Sequence, residues 1–289
     1  MAQAREAATR LCAAHGWDAD AVELVPVIAS GDKIQDRPLA EIGGKALWTK
    51  ELDAWLDAGE IDASVHSLKD VETLRPDIFT LGAILPRADR RDRLIGASSI
   101  AAIPQGATVG TSAPRRAAQL LHARPDCRVV MFRGNVATRL AKLSAGEADV
   151  TFLAAAGLER LGEDGTGHPL EAEDWLPAPS QGAIALECRT GDAETRDLLA
   201  AIDHSPSRAE VLAERALLEA LGGTCHSPIA VLCRHVEGDL HMQAAIYSAN
   251  GAERVAGEAR FAVHDLDAAR ALGRDLLGRA SLAITALFG

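Results

Sequence analysis

The chain is poor in aromatics, 3% of its 289 residues, and holds only three methionines. Its core must therefore rest on Ala, Leu, Val and Ile. No apolar run reaches the ~18 residues of a membrane-spanning helix, which argues against a membrane protein. Positive charge is also in deficit: 30 Lys and Arg stand against 41 Asp and Glu, a net charge of -11. Duplex nucleic acid is bound by neutralising phosphates, so this balance argues against a nucleic-acid partner, though not against a local basic pocket. The opening "MAQAREAATRL" lacks a basic stretch followed by an apolar one and does not read as a secretory signal. The five cysteines, Cys12, Cys127, Cys188, Cys225 and Cys233, are odd in number and scattered. That pattern fits a reduced, cytoplasmic protein better than a disulfide scaffold.

What is present reads as alternating strands and helices. Residues 22–28, 61–66, 108–111 and the segments "CRVVMFRG" and "DVTFLA" read as strands. Helices are expected over 46–58, over 114–123 with Pro114 first, after the cap Asn135 up to Gly146, and after the third of these strands. Such alternation points to α/β units with largely parallel sheets. The last third changes style. Ser207 and Glu210 form a capping box before a helix at 208–221. Strands follow near 229–236, 240–248 and 254–262, with Asn250-Gly251 as a hairpin turn, and a helix over about 265–286. The expectation is two α/β lobes and a small α+β domain: 1–86 plus 184–203, 87–183, and 204–289.

Three stretches could carry chemistry. "VGTSAPRRAAQLL" places Arg115 and Arg116 at a helix start, the end that favours anions rather than cations. Thr111, Ser112, Arg115 and Arg116 follow one strand, Arg133 and Arg139 the next, and Arg160 a third. Arginine forks at the carboxyl ends of strands suit carboxylates or phosphates, although any one of them could be a solvated surface charge. "VHSLKDV" ends a strand with Ser67, Lys69 and Asp70 in the adjoining turn, either a structural ion pair or an acid/base. "GGTCHSPI" sets Cys225 in a Gly-rich loop, as a nucleophile or covalent attachment point. Cys225, His226, Cys233 and His235 fit no standard zinc spacing, so no metal is expected. "IGGKALW" is not a phosphate-binding loop, since no Ser or Thr follows Lys45.

The segments "GDKIQDRPLAEIGGKALWTKEL", "DASVHSLKDV", "VGTSAPRRAAQL", "FRGNVATRLAKL", "LAAAGLERLG", "SQGAIALE" and "GGTCHSPI" occur in this order across nearly the whole chain. Together they closely resemble the porphobilinogen deaminase (hydroxymethylbilane synthase) family. The resemblance implies two lobes like a periplasmic binding protein and a third domain. It implies a dipyrromethane cofactor joined by a thioether to Cys225, and a monomer that condenses four porphobilinogens with loss of ammonia. Asp70 matches the catalytic aspartate. Lys69, Ser67, Thr111, Ser112, Arg115 and Arg116 match cofactor-binding positions; Arg133, Arg139, Arg160, Lys45 and Gln181 match substrate-binding ones. On this reading the acetates and propionates of the pyrroles supply the negative charge that the helix start lacks. A two-lobed anion-binding module and an enzyme acting on a phosphorylated metabolite are the rival readings.

The chain departs from the family pattern at Ala113 (commonly serine), Glu72 (usually proline) and Ser180 (often glycine). Family members also open with a strand like "IATRxSPLA". Here the sequence starts near Gln3, inside the helix that follows. The first strand of lobe 1 is therefore expected to be missing, and the shortened chain to be impaired until extended upstream.

Overall fold

The computed structural model describes residues 1–27, 49–224 and 226–288. They divide into two units, one of Met1–Ala88 with Gly182–Ala209, the other of Asp89–Gln181 with Glu210–Gly289.

The first unit holds an antiparallel sheet ordered β1-β8-β2, with β1 Ser64–Ser67, β2 Phe79–Ile84 and β8 Ile184–Arg189. Five successive residues of β8 are buried, as befits a central strand covered on both faces. Helix α1, Ala2–His15, contributes Ala7 and Leu11, one helical turn apart, to a core with Ala83, Leu85, Ile184, Leu186 and Leu199. Gly16 ends α1 in the left-handed region at φ 67°, where glycine carries no Cβ penalty. A bulge in β2 at Gly82 lets that strand lie against Leu199; a Cβ there would stand 2.4 Å from a Leu199 methyl. Helix α2, Lys50–Ala58, packs on β1 and β8. Residues 22–27, expected as part of a strand, form none: no strand pairs with them among the described residues. Residue 28, and 46–48 of the expected helix, lie outside the described residues.

The second unit has a five-stranded sheet ordered β5-β4-β6-β3-β7. Strands β4 (Thr108–Gly110), β5 (Arg128–Val130) and β6 (Val150–Ala154) are parallel. Strands β3 (Asp92–Ile95) and β7 (His168–Pro169) complete the sheet in antiparallel register. Helices α3 (Pro114–Ala123), α4 (Val136–Ser144) and the short α5 (Ala155–Glu159) each follow one parallel strand, as βα units require. The second sheet of this unit is β9 (Ile229–Val236), β10 (Asp239–Tyr247) and β11 (Arg254–Ala262), an antiparallel meander. Ala118 of α3 packs with Ala230, Leu232, Ala245 and Tyr247 of that meander.

The turn at Asn250-Gly251 is tied to α3 as well. Gly251, at φ 70°, offers its carbonyl to His122 Nδ1 at 3.0 Å, and a Cβ on it would meet the Ala118 carbonyl at 2.5 Å. Two helices of the last third differ from the sequence expectation. The long helix is Ser205–Ala220, so Ser207 lies inside it rather than capping it. Its hydroxyl instead accepts the Arg87 N–H at 2.9 Å, and the Ser207 N–H donates to Nδ1 of His204 just ahead of the helix. The final helix is broken into Leu266–Arg279 and Leu282–Thr285.

Candidate active site

In the first unit the candidate residues cluster where β1 ends. Ser64 and His66 face inward along β1 while Val65 and Ser67 are half-buried. The chain then tightens into a 3-10 turn, Leu68–Asp70. Leu68 is fully buried and donates its N–H to the Ala183 carbonyl at 3.1 Å, which pins the turn. Lys69 is left half-buried and Asp70 exposed. The Asp70 carboxylate has no hydrogen bond or ion pair among the described residues. Ser67 Oγ accepts from Gln3 Nε2 at 2.5 Å, so its own proton remains available to donate. Glu72, which stands where the family usually has proline, is bound to Arg75 at 3.1 Å.

In the second unit the parallel strands β5, β4 and β6 are neighbours, so their carboxyl ends share a rim. Thr111–Ser112 and Arg133 follow two of these ends, and Arg160 lies at the far end of the short α5 that follows the third. Thr111 Oγ1 accepts the Ala113 N–H at 3.2 Å and turns the chain into α3. Asn135 caps α4 by accepting from the Thr138 N–H. Arg139 turns its Nε back onto the Gly134 carbonyl at 2.9 Å, beside the largely buried Arg133.

Arg115 and Arg116 do not stand open at the helix start. Both are buried, each 4% exposed, and both point at one carboxylate, Asp92, at 0% exposure. Arg115 Nη2 lies 2.8 Å from Asp92 Oδ2 and Arg116 Nη2 2.7 Å from Oδ1. Trp175 Nε1 donates to Asp92 Oδ2 at 3.0 Å, and Gln181 Nε2 to Oδ1 at 2.9 Å. The counter-charge expected from substrate is thus already supplied in part by the protein. Burial alone would raise the Asp92 carboxyl, but the two guanidinium groups outweigh it and hold it far below the usual range. Gln181, expected to touch substrate, gives its amide nitrogen to Asp92 and to the Arg90 carbonyl.

Asp92 went unrecognised in the sequence. Its only signal is a lone acid within "RRDRLIG" that takes an inward position at the start of a strand. Two buried cations on one carboxylate leave one positive charge over. Arg115 Nε is buried without a hydrogen-bond partner, and Ala113 gives the first turn of α3 no side-chain cap. An uncompensated charge, an orphan donor and open N–H groups together fit the carboxylate of an anionic cofactor.

Lys45 and Cys225 lie outside the described residues. Near Cys225 in the chain, the Ser227 N–H donates to the Thr224 carbonyl and the Thr224 N–H to Ser227 Oγ. Among the described residues no helix is long and apolar enough to cross a membrane, and no group of acidic, His or Cys side chains could hold a metal ion.

Residues 1–197 match the family described as porphobilinogen deaminase, dipyrromethane cofactor binding domain, and residues 208–280 match the porphobilinogen deaminase C-terminal domain. The chain belongs to the porphobilinogen deaminase family. A porphobilinogen deaminase of Sphingopyxis alaskensis is 58% identical over 294 aligned positions, covering 100% of this chain and 93% of that protein. One from Paracoccus denitrificans is 48% identical, covering 89% of this chain and 83% of that protein. A periplasmic His/Glu/Gln/Arg/opine-family binding protein from Silicibacter pomeroyi, solved with lysine, overlaps at a TM-score of 0.34. It is 19% identical, covering 74% of this chain and 84% of that one. Membership in the porphobilinogen deaminase family makes the chain a transferase of tetrapyrrole biosynthesis with a dipyrromethane cofactor. The readings as a mere anion-binding module or as an enzyme of phosphorylated metabolites are not favoured.

Proposed function

We propose that this chain condenses four porphobilinogens into hydroxymethylbilane with Asp70 as the catalytic carboxylate and Cys225 as the sulfur that holds the cofactor. The observation that carries the assignment of Asp70 is its exposed carboxylate, unpartnered among the described residues, at the end of a turn pinned by Leu68. At each addition the substrate's carbon–nitrogen bond breaks and the electron pair leaves with ammonia, so the pyrrole ring becomes cationic. A fixed carboxylate that accepts the pyrrole N–H stabilises that cation more than the neutral substrate. Asp70 can also take up the proton lost when the new carbon–carbon bond forms. When bound, the dipyrromethane supplies a fixed primer on which the chain is extended.

Ser67, Lys69, Thr111, Ser112, Arg115 and Arg116 would hold the cofactor's carboxylates. Arg133, Arg139, Arg160 and Lys45 would hold those of incoming rings. Gln181 would hold Asp92 in place through its amide nitrogen. In this reading residues 1–86 with 184–203, residues 87–183 and residues 204–289 act as three domains, and the protein works as a cytoplasmic monomer. Free, buried Cys12, Cys127, Cys188 and Cys233 support a reducing compartment.

Native mass spectrometry tests the assignment. The expected mass is one 30.4 kDa chain plus a dipyrromethane, with the excess abolished in Cys225→Ser. An unmodified wild-type mass without porphobilinogen consumption would overturn it.

A further inference from the structure

Arg75 lies five residues beyond Asp70, in a stretch the mechanism does not use. Its side chain is 10% exposed and all five of its N–H donors are engaged. Nε and Nη2 grip the two oxygens of Glu187, each at 3.0 Å. Nη2 also reaches Asp53 at 2.5 Å, and Nη1 reaches Glu72 at 3.1 Å and Thr49 at 3.2 Å. The guanidinium carbon sits 5.7 Å from the centre of the Phe79 ring. Burial alone would lower the guanidinium, but its hydrogen bonds to Asp53 and Glu187 hold it above its usual range.

Glu187 is the hub of this arrangement. It is 1% exposed, sits on β8 opposite Ser64 in register, and its Oε2 also lies 3.2 Å from His66 Nε2. His66 Nε2 is in turn 2.8 Å from Ser64 Oγ. Residues 64–66 enter the 3-10 turn and residues 72–75 leave it. Both segments are therefore anchored to one buried carboxylate on the central strand, the first through His66 and the second through Arg75. Glu72, two residues past Asp70, is held by Arg75 and by the Thr49 hydroxyl at 3.1 Å.

From this geometry we infer that Arg75, acting through Glu72 and Glu187, is a positioning residue that fixes the orientation of Asp70. The inference rests on the reading of Asp70 as the catalytic carboxylate. A planar five-donor fork is needed, because a lysine ammonium has three donors and no bidentate face. Arg75→Lys therefore keeps the charge while releasing the outgoing arm of the turn. Misplacing a reacting group by about an ångström costs up to ~100-fold in rate.

The experiment uses the full, cofactor-loaded chain with Arg75→Lys, Glu72→Ala, Glu72→Gln and Asp70→Asn. Arg75→Lys should keep the native circular dichroism spectrum and lose kcat on the order of tenfold or more, with KM for porphobilinogen within about twofold. Amide hydrogen exchange should quicken in the peptide spanning Lys69–Glu72 while peptides of the second unit stay unchanged. Glu72→Gln, which keeps an acceptor for Nη1, should recover more of kcat than Glu72→Ala. A folded Arg75→Lys with wild-type kcat and wild-type exchange would overturn the inference, provided Asp70→Asn is inactive. Substantial turnover by Asp70→Asn would instead overturn the reading of Asp70 itself.

Discussion

Asp92 accepts five hydrogen bonds on two oxygens: one from Arg115, two from Arg116, and one each from Trp175 and Gln181. All its partners are buried, so water replaces the carboxylate poorly if it is lost. Asp92→Asn is nearly isosteric, yet it aims amide donors at guanidinium donors and leaves two buried cations unpaired. Breaking a buried pair in this way costs ~3–5 kcal/mol. Urea unfolding of the two proteins should show a loss of that size; a loss below ~1 kcal/mol would mean that the cations relax to other partners. Trp175 contributes stacking as well, lying parallel to Phe152 at 5.0 Å between ring centres. None of this is apparent from local sequence, because the four donors stand 23, 24, 83 and 89 residues from Asp92. The helix-start arginines were visible in the sequence; the carboxylate that answers them was not.

Among the elements, the legible ones had local punctuation. Pro114 fixed the start of α3, Asn135 that of α4, and Asn250-Gly251 separated β10 from β11, with bounds close to those observed. The failures depended on distant partners. Residues 22–27 carry a strand-like composition, but strands form by pairing. The capping box before the long helix failed because the Ser207 hydroxyl is claimed by the Arg87 N–H, 120 residues away. Helix α3 offers a direct test of local chemistry. Its cap, Ala113, already has extended backbone angles, φ -89° and ψ 115°, but no side-chain acceptor. Ala113→Ser places an oxygen within reach of the first-turn N–H groups and should stabilise the unliganded protein by ~1 kcal/mol in urea titrations. An unchanged midpoint would indicate that those groups are already satisfied.

At the scale of the whole molecule, each unit holds a deeply buried carboxylate gripped by arginine, Glu187 in the first and Asp92 in the second. Burial alone would raise Glu187, but hydrogen bonds from His66 and Arg75 outweigh it and hold it below its ordinary range, as the arginines do for Asp92. A carboxylate depressed in the folded state contributes stability that is fully present above its unfolded value, about 4. That contribution is lost as pH falls from there through the lower folded values. Unfolding free energy should therefore stay nearly level from about pH 7 to 5 and fall steeply below about 4. A stability maximum near pH 4 would contradict both assignments. The exposed pair Arg260–Glu237 should matter little in the same titration, since solvent screens it.

Hairpin tips are ordinarily where an epitope or reporter can be spliced into a protein, because nothing rests on them. The tip at Gly251 is an exception. Its backbone lies flush on the helix that presents Arg115 and Arg116, with no room for even a methyl group. An insertion there would act as a wedge under that helix, so a graft at a site that looks harmless in sequence would be felt at the arginines.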